Sequence, residues 1–439
     1  MTKIRKAVSI IFKFENKVFT INRQNFLSAF PGYTAFPGGK VDRSDEKASD
    51  ELTLIKTLYR EAMEELAIDI EIELLNKNIN SVTLIAKATS PDFNPRRFET
   101  YFYLVDCLKL LTFQLDHNEF QSGVWLDADE VIKDYENGDR LIVKPVLDIF
   151  KLLQTSKKEI TFFDFDKVRK DTKIPFIENI HELIQFMPLS NTIIPADRTN
   201  CFYFGEKNNK WLIDPSPKNE IEYQHLLDIF KGLPLDKILI SHHHKDHHQF
   251  ANKLARDLSI PIYCSLYTFE RIKKIYGSSY FDHLSVHILE DGDVIGKWKG
   301  EDVLVHAIPG HDEGHLGFAP RSLKWFIVGD LFQGIGTVVV GGEEGDMAKY
   351  LLSLEKVIQL NPKCVIPSHG IPLGGTNILQ KTLDHRLIRE KQIKEFYLSG
   401  LSVDEILTKI YSGVPVEVHR YAKMNIESHL FKLKFNKEI

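Results

Sequence analysis

The run Ser241-His242-His243-His244-Lys245-Asp246-His247-His248 closes the apolar stretch Lys237-Ile238-Leu239-Ile240. A short apolar stretch bounded by polar residues reads as a buried strand, so the run occupies a strand end. Its spacing, His-x-His-x-Asp-His, crowds imidazoles and a carboxylate into about one turn of chain. Neutral imidazole and carboxylate are good ligands for Zn²⁺ or a similar first-row divalent ion. A solvated His-rich loop is the plainer account of the run taken alone.

Three later segments repeat the pattern of apolar strand followed by ligand. Val303-Leu304-Val305 runs into Pro309-Gly310-His311-Asp312-Glu313-Gly314-His315, Trp325-Phe326-Ile327-Val328 into Gly329-Asp330, and Cys364-Val365-Ile366 into Pro367-Ser368-His369-Gly370. Loops at the carboxyl ends of strands can converge on one edge of a layered sheet, where sites tend to form. Together the loops supply His242, His244, Asp246, His247, His315, Asp330 and His369, enough for two metals sharing one carboxylate. His243, His248 and His311 are left over and read as loop packing.

In order and type these motifs resemble those of the metallo-β-lactamase superfamily, and the resemblance implies a fold and roles. The fold is an αββα sandwich. The first metal would take His242, His244 and His315, the second Asp246, His247 and His369, and Asp330 would bridge them. Metals about 3.5–4 Å apart can hold a hydroxide between them while one polarises the bond to be cleaved. Asp214, in Leu212-Ile213-Asp214-Pro215, matches a position that supports a ligand or the hydroxide from behind. The implied cofactors are two Zn²⁺, or Mn²⁺ or Fe in their place. The catalytic residues expected here are Asp246 and Asp330.

Arg198-Thr199-Asn200-Cys201, Asp291-Gly292-Asp293, Gly334-Ile335-Gly336-Thr337 and His385-Arg386-x-x-Arg389-Glu390 further resemble the β-lactamase-like protein 2 group, over roughly residues 180 to 439. That likeness implies a helical, winged-helix-like tail. Locally, Ser402 and Glu405 make a capping box, and Ile406, Leu407, Ile410 and Tyr411 follow at helical spacing. A second helical stretch runs from about Pro415 to Leu433.

The front of the chain carries a different constellation. Phe36-Pro37-Gly38-Gly39-Lys40-Val41-Asp42 is a glycine-rich turn leading to Arg60-Glu61-Ala62-Met63-Glu64-Glu65-Leu66-Ala67-Ile68. Leu54, Ile55, Leu58, Tyr59, Ala62, Met63 and Leu66 form an apolar helical stripe. Glu61, Glu64 and Glu65 stand at i, i+3 and i+4, so three like charges share a helix face and call for a cation. Hard oxygen ligands suit Mg²⁺ or Mn²⁺, which in turn grip a diphosphate. An ordinary acidic surface is the plainer account of the glutamates alone.

With the glycine turn, the constellation resembles a Nudix box, and the likeness covers about residues 1 to 150. It implies an α/β/α sandwich in which Glu61, Glu64 and Glu65 hold metal, Glu65 is catalytic, and Arg60 steadies the carboxylates. Two departures are the insert around Ser44 to Glu51 and Ala67, where the family has glycine. The acid in the middle of the box is Asp45, Glu46 or Glu51. Glu119 is a further candidate ligand or base.

At 439 residues the chain is long enough for two or three domains, each with its own core. The expected class is multi-domain α/β and α+β. The expected division is a Nudix-like domain at 1–155, a linker at 156–180, a metallo-β-lactamase-fold domain at 181–376 and the helical tail at 377–439. The cysteines Cys107, Cys201, Cys264 and Cys364 are far apart and read as buried free thiols in a reducing compartment. No apolar run approaches a membrane span, which points to a cytoplasmic protein without membrane contact. A net charge of −5 offers no global field for nucleic acid, although the tail from His385 is rich in Lys and Arg.

The expected function is a metal-dependent hydrolase that cleaves a thioester or phosphodiester, with a diphosphohydrolase site at the front. Its substrate would be an acyl-coenzyme A or a nucleoside diphosphate derivative. The alternative is an endoribonuclease acting on single-stranded RNA, with the Nudix-like domain serving only to bind.

Overall fold

The computed structural model describes residues 4–94, 97–155, 161–168 and 172–439. The chain divides into two compact units, Met1–Thr172 with Glu178–His181, and Lys173–Ile177 with Glu182–Ile439.

The first unit is a mixed sheet between helices. Strand Arg5–Phe14 pairs in parallel with Phe98–Cys107 and antiparallel with Lys17–Arg23. Thr34–Ala35 and Phe120–Asp127 both pair with Lys17–Arg23, while Ile79–Thr89 extends the other side. Alternation along Arg5–Phe14 sends Val8, Ile10 and Phe12 to one face and Ile11 to the other. Leu54, Leu58, Ala62 and Leu66 of helix Asp50–Leu66 cover the first face. Val131 and Ile132 of Ala128–Glu136, with Ile149 and Phe150 of Lys144–Thr155, cover the second. Apolar residues on both faces of a strand leave no solvated side, which is why helices must lie above and below.

The stretch 156–180, expected as a linker, is only partly a connection. Residues 156–160 and 169–171 lie outside the described residues. Phe163–Asp164 adds in parallel to Ile79–Thr89, and Phe165 sits 6.5 Å, centroid to centroid, from Phe102. Phe165 thus packs against the first unit's core while Phe162 and Phe163 stay exposed, and Phe176–Ile180 is itself a strand.

The second unit stacks two sheets. One has the strand order Val286–Ile288, Ile262–Cys264, Lys237–Leu239, Asn209–Ile213, Cys201–Glu206, Leu183–Phe186, Phe176–Ile180. The other runs Val294–Trp298, Glu301–Ala307, Leu316–Pro320, Phe326–Gly329, Cys364–Pro367, Leu373–Gly374. Between them Phe204 meets Trp325 at 6.1 Å and Trp298 meets Trp325 at 5.7 Å. Each such buried ring contributes on the order of 2–3 kcal/mol. The outer face of the first sheet buries Tyr203, Leu212 and Ile238 against Tyr223, Leu226 and Phe230 of helix Glu220–Gly232 and Leu254 of Ala251–Leu258. The second sheet buries Phe326, Val328 and Val365 against Tyr350 and Leu354 of Met347–Leu360 and Leu379 and Leu383 of Asn377–Leu398. The result is the expected αββα sandwich.

Residues 377–439 are helical: Asn377–Leu398, Val403–Ile410 and His419–Phe435, joined around Ile393, Ile406, Ile426 and Leu430. The capping box at Ser402 and Glu405 is present. No strand, and hence no β-wing, occurs in this segment among the described residues. All four cysteines are buried and free. No helix of the described residues is long and apolar enough to cross a membrane.

Candidate metal centres

Strand direction gathers the ligand loops. Asn209–Ile213 and Lys237–Leu239 run parallel, as do Phe326–Gly329 and Cys364–Pro367. Asp214 follows the first strand, the histidine run the second, Asp330 the third and His369 the fourth. Asp214 takes a left-handed backbone, φ +54°, which aims its buried carboxylate back at the histidine run. It accepts the Ser241 N–H at 2.7 Å and the Ser241 hydroxyl at 2.6 Å, and its Oδ2 lies 2.9 Å from His247 Nδ1. His247 therefore donates from Nδ1 and turns its Nε2 inward.

Two groups of inward donors result. In the first, His244 Nδ1 lies 3.0 Å from His242 Nε2 and 2.9 Å from His311 Nε2. A tetrahedral zinc site with bonds near 2.0–2.1 Å spaces its nitrogens about 3.3 Å apart, so a small expansion admits a cation. His242 Nδ1 rests 3.0 Å from Ser241 Oγ, and His311 Nδ1 donates to Val339 O at 2.7 Å. In the second group, Asp246 Oδ2 lies 3.9 Å from His247 Nε2 and 3.6 Å from His369 Nε2. His369 Nδ1 donates to Arg198 O at 2.8 Å, which again frees Nε2.

Asp330 stands between the groups. Its Oδ2 is 3.6 Å from His311 Nε2 and 3.7 Å from His247 Nε2, and its Oδ1 is 3.5 Å from His369 Nε2. These separations exceed hydrogen-bond lengths. His247 Nε2, His369 Nε2 and Asp330 Oδ1 are buried without a hydrogen-bond partner, a costly state that a cation at their common point would relieve.

The structure places one expected ligand apart from the donor groups. His315 spends both ring nitrogens on the protein: Nδ1 donates to Ile308 O at 3.2 Å and Nε2 accepts the Asp330 N–H at 3.2 Å. Gly329 makes room for that ring, since a Cβ there would come within 2.3 Å of His315 Nε2. The ring that lies close to His242 and His244 is instead His311, read from sequence as loop packing. His248 does pack the loop, with Nδ1 at 3.0 Å from Tyr280 Oη and Nε2 at 3.0 Å from His243 O.

Electrostatics sort the donors. Burial, reinforced by neighbouring imidazoles, holds His242 well below the usual histidine range and His311 at about 4, so both are neutral lone-pair donors. Burial disfavours the Asp330 anion, yet His369 and His247 hold its carboxyl well below the ordinary range. Burial likewise opposes the Asp246 anion, and His247 and His369 outweigh it. Burial opposes charge on His247 and His369, yet Asp246 and Asp330 hold both above the usual histidine range, so a divalent cation bound there displaces their protons.

His243, Asp312, Glu344 and Arg271 form a neighbouring ionic chain that was not foreseen. His243 touches the buried Asp312 carboxylate through Nδ1 and lies 2.9 Å from Glu344 Oε2 through Nε2. Burial works against its charge, but the two carboxylates raise it to about 9. Glu344 Oε2 is also 3.5 Å from His244 Nε2, and Arg271 Nε donates to Glu344 Oε1 at 2.8 Å.

In the first unit the box folds as its motif suggests. Gly38 donates its N–H to Glu65 Oε2 at 2.7 Å, and a Cβ on Gly39 would come within 2.3 Å of Glu61 Oε1. Arg60 contacts Glu61 Oε1 at 2.9 Å and Glu64 Oε2 at 2.7 Å, and donates to Lys40 O at 3.0 Å. Of the three acids left open by the insert, the fully buried Asp45 is the partner of Arg60, at 2.8 Å. Ala67 closes the helix at φ +52°, its N–H bonded to Ala62 O and Met63 O. Alanine thus adopts the left-handed conformation that glycine takes more easily. Burial, with Glu61 and Glu119 nearby, pushes the Glu65 carboxyl up to about 8. Among the described residues, the clusters of three or more close ligand atoms all lie in the second unit. Glu61 and Glu64 instead converge on Arg60 Nη1, whose charge answers theirs.

Comparison with known proteins agrees with this division. The NUDIX domain family model matches residues 3–145, and the metallo-beta-lactamase superfamily model matches residues 194–369. A beta-lactamase-like protein 2 homolog from Drosophila melanogaster is 25% identical over 265 residues, covering 57% of this chain and 87% of its own. A hydroxyacylglutathione hydrolase from Synechocystis sp. is 32% identical over 165 residues, covering 35% of this chain and 56% of its own. The crystal structure of a beta-lactamase domain protein from Burkholderia ambifaria shares the fold with a TM-score of 0.51 at 19% identity, covering 58% of this chain and 87% of that one. Residues 3–145 are therefore a NUDIX domain and residues 194–369 a metallo-β-lactamase superfamily domain, joined in one hydrolase-family chain.

Proposed function

We propose that the second unit hydrolyses a thioester at a centre of two divalent ions, Zn²⁺ in the first instance. The observation that carries this reading is the convergence of buried, partnerless donor atoms: His247 Nε2, His369 Nε2 and Asp330 Oδ1. His242, His244 and His311 would hold one ion and Asp246, His247 and His369 the other, with Asp330 between them. Bound there, the ions would supply Lewis acidity and an activated water at neutral pH. The chain's own part is orientation. Asp214, Arg198 O and Val339 O fix the rings so that each presents a lone pair. A thioester suits the likeness to a hydrolase named for an acyl-glutathione, since an acyl group on a thiol is a thioester.

For the first unit the reading is cleavage of a diphosphate with Mg²⁺ or Mn²⁺ held by Glu61, Glu64 and Glu65. The contacts of Gly38 and Gly39 with the glutamates support it, as does the left-handed closure at Ala67. Acyl-coenzyme A derivatives carry both a thioester and a diphosphate, so one substrate class would serve both sites.

The test is one substrate panel on the full chain and on Asp246→Ala and Glu65→Gln. Acyl-coenzyme A, free coenzyme A, nucleoside diphosphate derivatives and single-stranded RNA are offered with Zn²⁺, Mn²⁺ and Mg²⁺ in turn. Release of free thiol, lost only in Asp246→Ala, is the expected result. Cleavage of RNA without thiol release would replace the thioesterase reading by the endoribonuclease one.

A further inference from the structure

The C-terminal helices stand outside the metal centre, yet they grip the segment that steadies two of its histidines. That segment, Val338 to Glu344, follows Asp330 and leads into helix Met347–Leu360. Its backbone alternates between two neighbours. Val338 O accepts from Arg386 Nη2 at 2.6 Å, and Val340 N–H donates to Asn425 Oδ1 at 2.8 Å. Arg386 and Asn425 lie on helices Asn377–Leu398 and His419–Phe435 and are both buried. Gly341 continues the seam, since a Cβ there would come within 2.6 Å of Met424 O.

The intervening residue faces the other way. Val339 O accepts the Nδ1–H of His311 at 2.7 Å. Five residues on, Glu344 faces His244 Nε2 at 3.5 Å and His243 Nε2 at 2.9 Å. The two successive carbonyls meet different neighbours, so one segment holds the tail by Val338 and a ligand ring by Val339. A second route runs beside it. Arg386 stacks over Tyr350 at 5.5 Å, and Tyr350 Oη donates to Leu331 O at 2.8 Å, next to Asp330.

We infer that Arg386 and Asn425 are positioning residues for the first metal ion, acting through Val338–Glu344 on His311 and His244. The inference rests on the proposed assignment of those histidines as ligands. Outer partners of a ligating histidine are worth about 10–100-fold in metal affinity. His369 takes its outer partner from Arg198, on another loop, so the tail reaches the second ion only by way of Asp330.

The experiment is a competition titration of Zn²⁺ against a chelator on the full chain, comparing wild type, Asn425→Leu, Asn425→Asp, Arg386→Leu and Glu344→Gln. Melting temperature is recorded with and without metal. Asp at 425 keeps an oxygen for the Val340 N–H and serves as the conservative rescue. The expected result is two binding steps in wild type. Asn425→Leu should weaken one step by about 10-fold or more and the other by less than about 2-fold, Asn425→Asp should restore it, and Arg386→Leu should weaken that same step more than the other. Glu344→Gln should weaken the same step. Two unchanged steps in the Leu variants would overturn the inference. So would equal weakening of both steps alongside a fall in the metal-free melting temperature, because that marks a tail that only stabilises the fold. If wild type takes up no Zn²⁺, the ligand assignment itself falls, and this inference with it.

Discussion

His311 and His315 lie four residues apart in one loop, yet His311 Nε2 faces His244 Nδ1 at 2.9 Å while His315 Nε2 accepts the Asp330 N–H at 3.2 Å. One ring turns its Nε2 to the other imidazoles of the centre and the other is a strut beneath it. His311→Gln should therefore lower affinity for one ion by more than the about 10–100-fold that outer partners are worth. His315→Gln should keep both ions and lose about 1–3 kcal/mol of stability, the usual cost of disturbing a buried hydrogen bond. Metal analysis and denaturant unfolding of the two variants read the difference. Equal metal loss in both would return His315 to the ligand set.

Much of this centre was legible in the sequence, for a physical reason. His242, His244, Asp246 and His247 fall within one turn after a strand, so their convergence is local. Asp330 and His369 each follow an apolar strand, and parallel strands end on the same edge. The choice between His311 and His315 was not legible, because it depends on which ring the loop turns inward. Glu344 escaped notice because it meets His244 from a loop 100 residues further along the chain. Asp45 could not be aligned through the insert, and only its contact with Arg60 singles it out. In the tail, helical spacing and the capping box were readable.

Asp214 holds His247 through Nδ1, which predicts a selective effect. Asp214→Asn removes the charge that favours a donating Nδ1–H and weakens the grip on Ser241. Affinity for the second ion should drop by about 10–100-fold, with the first ion less affected. A Zn²⁺ titration that shows both steps intact would detach Asp214 from this role.

The left-handed Ala67 is a point where a substitution should stabilise. An L-residue in that conformation costs roughly 1–2 kcal/mol, and glycine gives back part of the gain by loosening the unfolded chain. Ala67→Gly should raise the stability of the first unit by up to about 1 kcal/mol in a denaturant titration. A loss of stability would mean that the methyl group packs usefully where it stands.

Glu65 gives the metal-free first unit a pH dependence of known sign. Its folded pKa, raised to about 8 by burial, lies above the ordinary value of 4.5. Between those values the folded state holds a proton that the unfolded state has released, so stability falls as pH rises from 4.5 to 8. Glu65→Gln should flatten this slope, as followed by thermal unfolding in chelator. Added Mg²⁺ should reverse the slope in wild type, because binding displaces the proton. An identical slope in wild type and variant would show that another group sets it.

The central claim is a two-ion hydrolytic centre bridged by Asp330, and one measurement bears on it most directly. Metal content and thioester hydrolysis are determined together on wild type and Asp330→Ala after dialysis against limiting Zn²⁺. The account predicts two ions per chain and thiol release in wild type, with both ions depleted and thiol release lost in the variant. Full metal content and undiminished hydrolysis in Asp330→Ala would contradict the bridge, and with it the dinuclear mechanism.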